Sequence, residues 1–207
     1  AMEFLRKHPN YHAFLPVAPT VDEKLIIEGL DSAGLWWKGS SAAEEILWDG
    51  PGRIRFIRRS NFEAIKASKL AVAFPGTNNM QIISLCVPLL IVIPLNNAED
   101  IPLDGIPGMI PMSIPGARQL KKKLVYWYSR KLRYASLPNR IAGREIVPEY
   151  RGVMTPSMIA GFVEELVNDP ERLSAIVRGY SDISRERGAA SRIAEKVCDY
   201  FSRPSSC

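Results

Sequence analysis

The sequence predicts an α/β fold, a Rossmann-like parallel sheet with flanking helices and a helical C-terminal tail. Two observations carry that prediction. Apolar runs too short for helices, such as Leu70-Ala-Val-Ala-Phe74 and Leu89–Ile93, alternate at short intervals with stretches of helical periodicity, the pattern of βαβ units. The last fifty residues hold helical stretches opened by Thr155-Pro156 and Asp169-Pro170, each an N-cap followed by a proline suited to the first helical turn.

In chain order, His12–Val17 reads as a short buried strand, and Thr20 or Asp22 caps a helix to about Leu30. The stretch Gly34–Gly52 is mixed and holds Trp36, Trp37 and Trp48, which read as core or domain interface. Arg53–Ile57 alternates like a strand, and Ser60 caps a short helix to about Ser68. Leu70–Phe74 is the next strand, followed by Pro75-Gly76-Thr77, a helix over Asn78–Cys86, and the strand Leu89–Ile93, with Cys86 read as a small core residue. The Pro- and Gly-rich stretch Pro94–Gly116 is long for a loop, so it reads as functional or mobile. Ala117–Arg133 is a helix dense in Lys and Arg; Ser136–Glu149 contains a tight turn at Pro138-Asn139; and helices follow near Thr155–Asn168, Pro170–Arg187 and Ala189–Ser202. The expected division is residues 1–153 as a nucleotide-sugar-binding unit with an inserted loop at 94–116, and 154–207 as helices packed on it.

Composition narrows the function. With 207 residues and 46% hydrophobic content the chain can fill a core, so disorder is not the reading. A net charge of +5 points to anionic partners. Three widely spaced cysteines fit a reducing compartment, and His8 and His12, the only histidines, leave little for a metal cluster or a His-based triad. The apolar run Ile82–Leu95 is shorter than the roughly 20 residues of a membrane span and is interrupted by Pro88; it reads as a helix end and a buried strand. No signal peptide opens the chain, Ala1-Met2 reads as a cloning remnant, and the abrupt start suggests a piece of a longer protein.

Three segments carry chemistry. Pro75-Gly76-Thr77-Asn78 lies where a strand turns into a helix, and bare N–H groups there suit a diphosphate, though a tight turn with Thr77 as N-cap explains the residues as well. In Ser136–Glu145 the turn would deliver Asn139, Gly143 and an Arg144–Glu145 pair to one point, with Arg144 on phosphate and Asn139 and Glu145 on a sugar or base; a structural ion pair bracing the turn is the plainer reading. In Ala117–Arg133, Lys121, Lys122, Lys123, Arg130 and Lys131 accompany Trp127 and two tyrosines. That mixture suits an anionic bilayer, RNA, or a solvated face of a packed helix.

On these residues the chain resembles the C-terminal, donor-binding half of lipid-A-disaccharide synthases, glycosyltransferases of the GT-B fold. The resemblance runs through Phe14-Leu-Pro-Val-Ala-Pro19, Pro75-Gly-Thr-Asn-Asn-Met-Gln81 and Val87–Val92. It is closest over Tyr134-Ala-Ser-Leu-Pro-Asn-Arg-Ile-Ala-Gly-Arg-Glu-Ile-Val-Pro-Glu149, then continues through Thr155-Pro-Ser and Asn168–Arg172. It implies binding of a UDP-linked acylated glucosamine and its metal-independent transfer, without a cofactor, to an acylated acceptor at the cytoplasmic face of the inner membrane. Gly76, Thr77, Asn78, Gln81, Asn139, Arg144 and Glu145 would contact the donor. The acceptor base would come from an absent N-terminal domain, so this piece alone should not turn over, and a homodimer is a further expectation. The family has Ser-Gly-Thr-Ala-x-x-Glu where this chain has Pro75 through Gln81, which removes a hydroxyl and a charge from the donor site. That departure motivates the alternative, a divergent non-catalytic paralogue binding nucleotide or lipid at a membrane. Nucleic acid is not an expected partner.

Overall fold

The protein was described from a computed structural model, which covers residues 1–17, 21–32, 35–38, 44–47, 50–57, 61–98, 117–183 and 189–202. The elements are α1 (Met2–Lys7), β1 (His12–Pro16), α2 (Glu23–Ser32), β2 (Trp36–Lys38), β3 (Glu44–Leu47), β4 (Arg53–Ile57), α3 (Asn61–Lys66), β5 (Ala71–Ala73) and α4 (Asn78–Ser84). They continue as β6 (Leu89–Pro94), α5 (Ala117–Lys131), α6 (Leu137–Ala142), β7 (Glu149–Gly152), α7 (Pro156–Val167), α8 (Pro170–Gly179), a 3-10 turn (Tyr180–Asp182) and α9 (Ala189–Ser202).

The α/β class holds, with the strands parted into two sheets. One has the order β1-β4-β3-β2, with β1 and β4 parallel (His12 opposite Arg53, Pro16 opposite Ile57) and β3 antiparallel to both neighbours. The other is the all-parallel β5-β6-β7. The hairpin β2–β3 resolves much of the mixed Gly34–Gly52 region; Trp48, the stretch 99–116 and the end expected near Arg187 lie outside the described residues.

Two large apolar clusters hold the molecule, with a small third one (Leu95, Ala98 and Val125) beneath α5. Leu89, Leu90 and Ile91 of β6 are fully buried, as a strand covered on both faces requires. They pack with Ile82 and Ile83 of α4, Val147, Leu166 of α7, and Leu173 and Ile176 of α8. The second cluster joins Phe4 and Leu5 of α1 to Ile54 and Phe56 of β4 and to Ala160 and Val167 of α7. At about 1.5–3 kcal/mol for each large side chain buried, such clusters dominate the stability. Helix α7 feeds both clusters, and Leu70 touches both, so the two sheets share one body. Lys69 Nζ donates to Tyr11 Oη (3.4 Å), a side-chain contact between the segments that lead into β5 and β1.

Local capping explains most boundaries. Asp22 accepts from Lys24 N (3.0 Å) at the start of α2, Thr155 from Met158 N (3.2 Å) and Asp169 from Arg172 N (2.9 Å). Four expectations are corrected. Pro138-Asn139 is not a turn: Ser136 is extended, Pro138 occupies the first turn of α6 where its missing N–H costs nothing, and Gly143 ends the helix at φ +68. The four-residue β7 was unexpected because it has no apolar alternation. Thr77 precedes α4 with helical φ and ψ, and its side chain makes no capping hydrogen bond. Cys86 is exposed rather than a core residue, with φ +57 in the position that closes α4, where Val87 N reaches back to Ile82 O (3.4 Å).

No helix among the described residues is long and apolar enough to cross a membrane.

Candidate functional site

The strand β5 ends at Ala73, and Phe74 to Asn78 form an exposed turn into α4. Asn79, Ile82 and Ile83 are buried, so α4 turns that side inward and sets Thr77, Asn78 and Gln81 outward. One turn of helix separates Gln81 from Thr77 and Asn78, and all three are exposed. Four of the residues expected to meet a donor (Gly76, Thr77, Asn78, Gln81) therefore share one solvent-facing surface at the carboxyl end of a parallel strand. The turn closes on itself through Asn79 N to Gly76 O (3.2 Å) and Met80 N to Thr77 O (3.1 Å). Nothing lies within 4 Å of where a Cβ on Gly76 would stand, and its φ is not among the positive ones. Neither packing nor backbone strain demands a glycine there.

Beneath that surface lies Asn79, a residue the sequence reading passed over. Its side chain is almost fully buried, and neither the amide nitrogen nor the oxygen has a hydrogen-bond partner. Orphaned buried polar groups are rare enough to mark this helix start as unusual.

The segment Ser136–Glu149 is built differently. Asn139 is fully buried and all its hydrogen-bonding capacity is taken. Its Nδ2 donates to Val147 O (2.9 Å) and Glu149 Oε2 (3.0 Å), while its Oδ1 accepts from Ile146 N (2.8 Å) and Val147 N (3.0 Å). The Glu149 carboxylate in turn accepts from Ala135 N (2.7 Å), Ser136 N (3.1 Å), Ser136 Oγ (2.7 Å) and Arg151 (2.9 Å). Burial alone would raise its pKa. The hydrogen bonds from Ala135, Ser136 and Asn139 outweigh that and hold it below the ordinary carboxylate value. Arg151 also donates to the carbonyls of Ser129 (2.6 Å), Leu132 (2.7 Å) and Arg133 (3.2 Å), capping the end of α5. These side chains clamp α5, α6 and β7 together. The sequence reading did not single out Glu149 or Arg151 for that duty; their two-residue spacing on one strand face is the only local signal.

The pair expected between Arg144 and Glu145 is not formed. Arg144 binds Asp182, through Nε at 2.9 Å and through a second, shorter contact, while Glu145 is exposed. Asp182 is 38 positions away, so no spacing rule could have named it. Both residues line a shallow cleft of about 230 Å³ with Pro148, Arg172, Ile176 and Gly179. A Cβ on Gly179 would meet Ile146 Cβ at 3.2 Å, so glycine lets α8 approach the loop before β7. This cleft precedes the amino end of β7, whereas Gly76–Gln81 follows the carboxyl end of β5. The strands are parallel, so the two candidate anion sites lie at opposite ends of the sheet and do not converge.

On α5 the structure separates the expected contacts. Lys123, Trp127, Arg130 and Lys131 lie on its outer side, Lys122 is exposed at the margin, and Lys121 is half-buried.

No family model matches the chain. No solved structure matches it. Among curated proteins, a lipid-A-disaccharide synthase of Myxococcus xanthus (strain DK1622) is 25% identical over 200 residues, 93% of this chain and 41% of that protein. One of Anaeromyxobacter sp. (strain K) is 27% identical over 202 residues, 95% of this chain and 43% of its own length. A third, of Syntrophus aciditrophicus (strain SB), is 26% identical over 184 residues, 87% and 38% respectively. The chain is thus similar, over nearly its whole length, to lipid-A-disaccharide synthases, and spans about two fifths of the length of these relatives.

Proposed function

We propose that this chain is the UDP-sugar-binding part of a lipid-A-disaccharide synthase-like glycosyltransferase, with residues 1–153 forming the binding unit and 154–207 the helices packed on it. The named relatives support a glycosyltransferase. The observation that carries the donor site is Gly76: a bare, exposed glycine just past the carboxyl end of a parallel strand. Ligands of open α/β sheets collect outside the carboxyl ends of the strands, and a glycine free of internal demands lets a diphosphate approach the backbone closely. Thr77 and Asn78 offer side-chain donors next to it. Gln81 offers an uncharged amide where the resembled family has a glutamate, keeping hydrogen bonding without the charge.

In this reading the sugar leaves UDP for the hydroxyl of a lipid-linked acceptor. Developing charge on the departing diphosphate is met by the N–H groups of the turn and the hydroxyl of Thr77. Asn139 serves the fold through its clamp, since its amide is already spent. Arg144 and Glu145, at the far end of the sheet, are assigned to the cleft they line rather than to the diphosphate. The acceptor base and the rest of the acceptor site would come from a further domain, a second subunit is a possible partner of the tail helices, and the lipid substrates place the work at the inner face of a membrane.

The test is calorimetric titration of the chain with UDP beside Thr77→Ala and Gln81→Ala. Saturable binding weakened by either change supports the donor site. Binding that neither change affects, but that Arg144→Ala abolishes, would move the site to the opposite cleft.

A further inference from the structure

Helix α5 is the most one-sidedly charged element of the molecule. Its fifteen residues contain six cations (Arg118, Lys121, Lys122, Lys123, Arg130, Lys131) and no Asp or Glu. Only Ala117 and Val125 of the helix are buried, and half-buried Lys121 lies between them on the same side. Stepping 100° per residue, Leu120, Lys123, Trp127, Arg130 and Lys131 share one exposed face about 100° wide, turned away from buried Val125. Leu120 is 52% and Trp127 55% exposed, two apolar side chains on a cationic face. Lys131 Nζ stands 3.9 Å from the Trp127 ring centre, which fixes the indole and keeps a cation against it. Among the described residues, no acid pairs with Lys123 or Arg130. The helix is also rigidly mounted: Arg151 caps its end, and Tyr126 Oη donates to Leu95 O (3.1 Å) at the end of β6.

We infer that the outer face of α5, Leu120, Lys123, Trp127, Arg130 and Lys131, is a docking surface for an anionic lipid bilayer. Charge complementarity selects an anionic partner, and the interleaved apolar groups select lipid over nucleic acid. Leu120 and Trp127 gain by entering the acyl boundary while the flanking cations stay among headgroups; a phosphate backbone offers a leucine nothing. This deepens the membrane contact in the proposed function. It leaves out Lys121, which is half-buried, and Lys122, at the margin of the face, and adds Leu120.

The experiment is flotation of the full chain with vesicles of phosphatidylcholine alone and of phosphatidylcholine mixed with phosphatidylglycerol, without UDP or any lipid-linked sugar. The chain should float with the anionic vesicles only, and added salt should release it. Losing Lys123, Arg130 and Lys131 together (each to Gln) should weaken binding roughly 100-fold, about fivefold for each cation removed from the lipid surface. Trp127→Ala should weaken it separately, while the control pair Lys24→Gln with Lys66→Gln should not come near the triple variant. Titrating UDP into the triple variant keeps the readings apart, because an intact UDP affinity with lost flotation supports both. Flotation of the triple variant equal to that of the parent would overturn the inference. So would absence of flotation by the parent, or its displacement from vesicles by RNA.

Discussion

Asn139→Ala is the most informative substitution in the molecule, because its effect on folding and on ligand binding separates two readings of the same residue. Truncation deletes four hydrogen bonds at a fully buried site. It strands the amides of Ile146 and Val147 and the carbonyl of Val147, and takes one donor from Glu149. At a net of about 1 kcal/mol for each lost bond the change should cost about 4 kcal/mol, since partners left unpaired carry their desolvation penalty. That is a large share of the 5–15 kcal/mol typical of whole domains. For a chain of this size it corresponds to a fall in Tm of about 12 °C. Urea unfolding followed by far-ultraviolet circular dichroism reads the loss directly. Asn139→Asp should also destabilise at neutral pH, since it keeps the acceptor contacts but sets a second carboxylate against Glu149. Below its melting point Asn139→Ala should still bind UDP as the parent does. A variant within about 1 kcal/mol of the parent that no longer binds UDP would refute the clamp and return Asn139 to the ligand.

Two further predictions follow from the same local geometry. The Glu149 carboxyl titrates below its ordinary value in the folded chain. Its contribution is therefore present above the unfolded pKa near 4.5 and lost as pH falls through the lower folded value; Glu149→Gln should flatten that acid limb in urea titrations run at successive pH values, and an unchanged limb would assign it to other carboxylates. Cys86 holds φ +57 at the close of α4, a conformation that costs a side-chain-bearing residue about 1 kcal/mol, so Cys86→Gly should raise stability by up to about that amount in thermal unfolding, and a lower Tm would show that the thiol has a packing role.

What could be read from residue order was whatever local chemistry decides. Arg53–Ile57 and Ala189–Ser202 fall where alternation and helical period put them, and Thr155 and Asp169 cap the helices they were expected to cap. The failures share one cause, dependence on distant partners. Glu149–Gly152 becomes a strand only because β6 offers an open edge at Ile91–Pro94. Pro138-Asn139 carries turn chemistry, yet Ser136, Gly143 and the buried carboxylate of Glu149 make a helix of it. Arg144 passes over its sequence neighbour for Asp182, brought in by α8. At the candidate site, the sequence marked both Gly76–Gln81 and Asn139–Glu145 as polar and glycine-bearing; only burial tells a side chain spent on the fold from one left for a ligand.

That distinction is the ground on which a binding site is proposed. The stretch from Ser136 to Glu149 is the most specific part of the resemblance, but its geometry explains itself: Ser136, Asn139, Glu149 and Arg151 satisfy one another and the ends of two helices, and Gly143 supplies the positive φ that ends α6. A motif can be particular because a fold needs it. The turn at Gly76 has no such account. Its side chains reach solvent, its glycine relieves no crowding and no strained dihedral, and the helix it opens carries in Asn79 a buried amide with nothing to bond. A buried polar group left unpaired costs about 1–3 kcal/mol unless something outside the chain compensates. A ligand seated at the carboxyl end of β5 would use the bare glycine and the exposed hydroxyl of Thr77 together, which is why the donor is proposed at that end of the sheet and not in the cleft at Arg144.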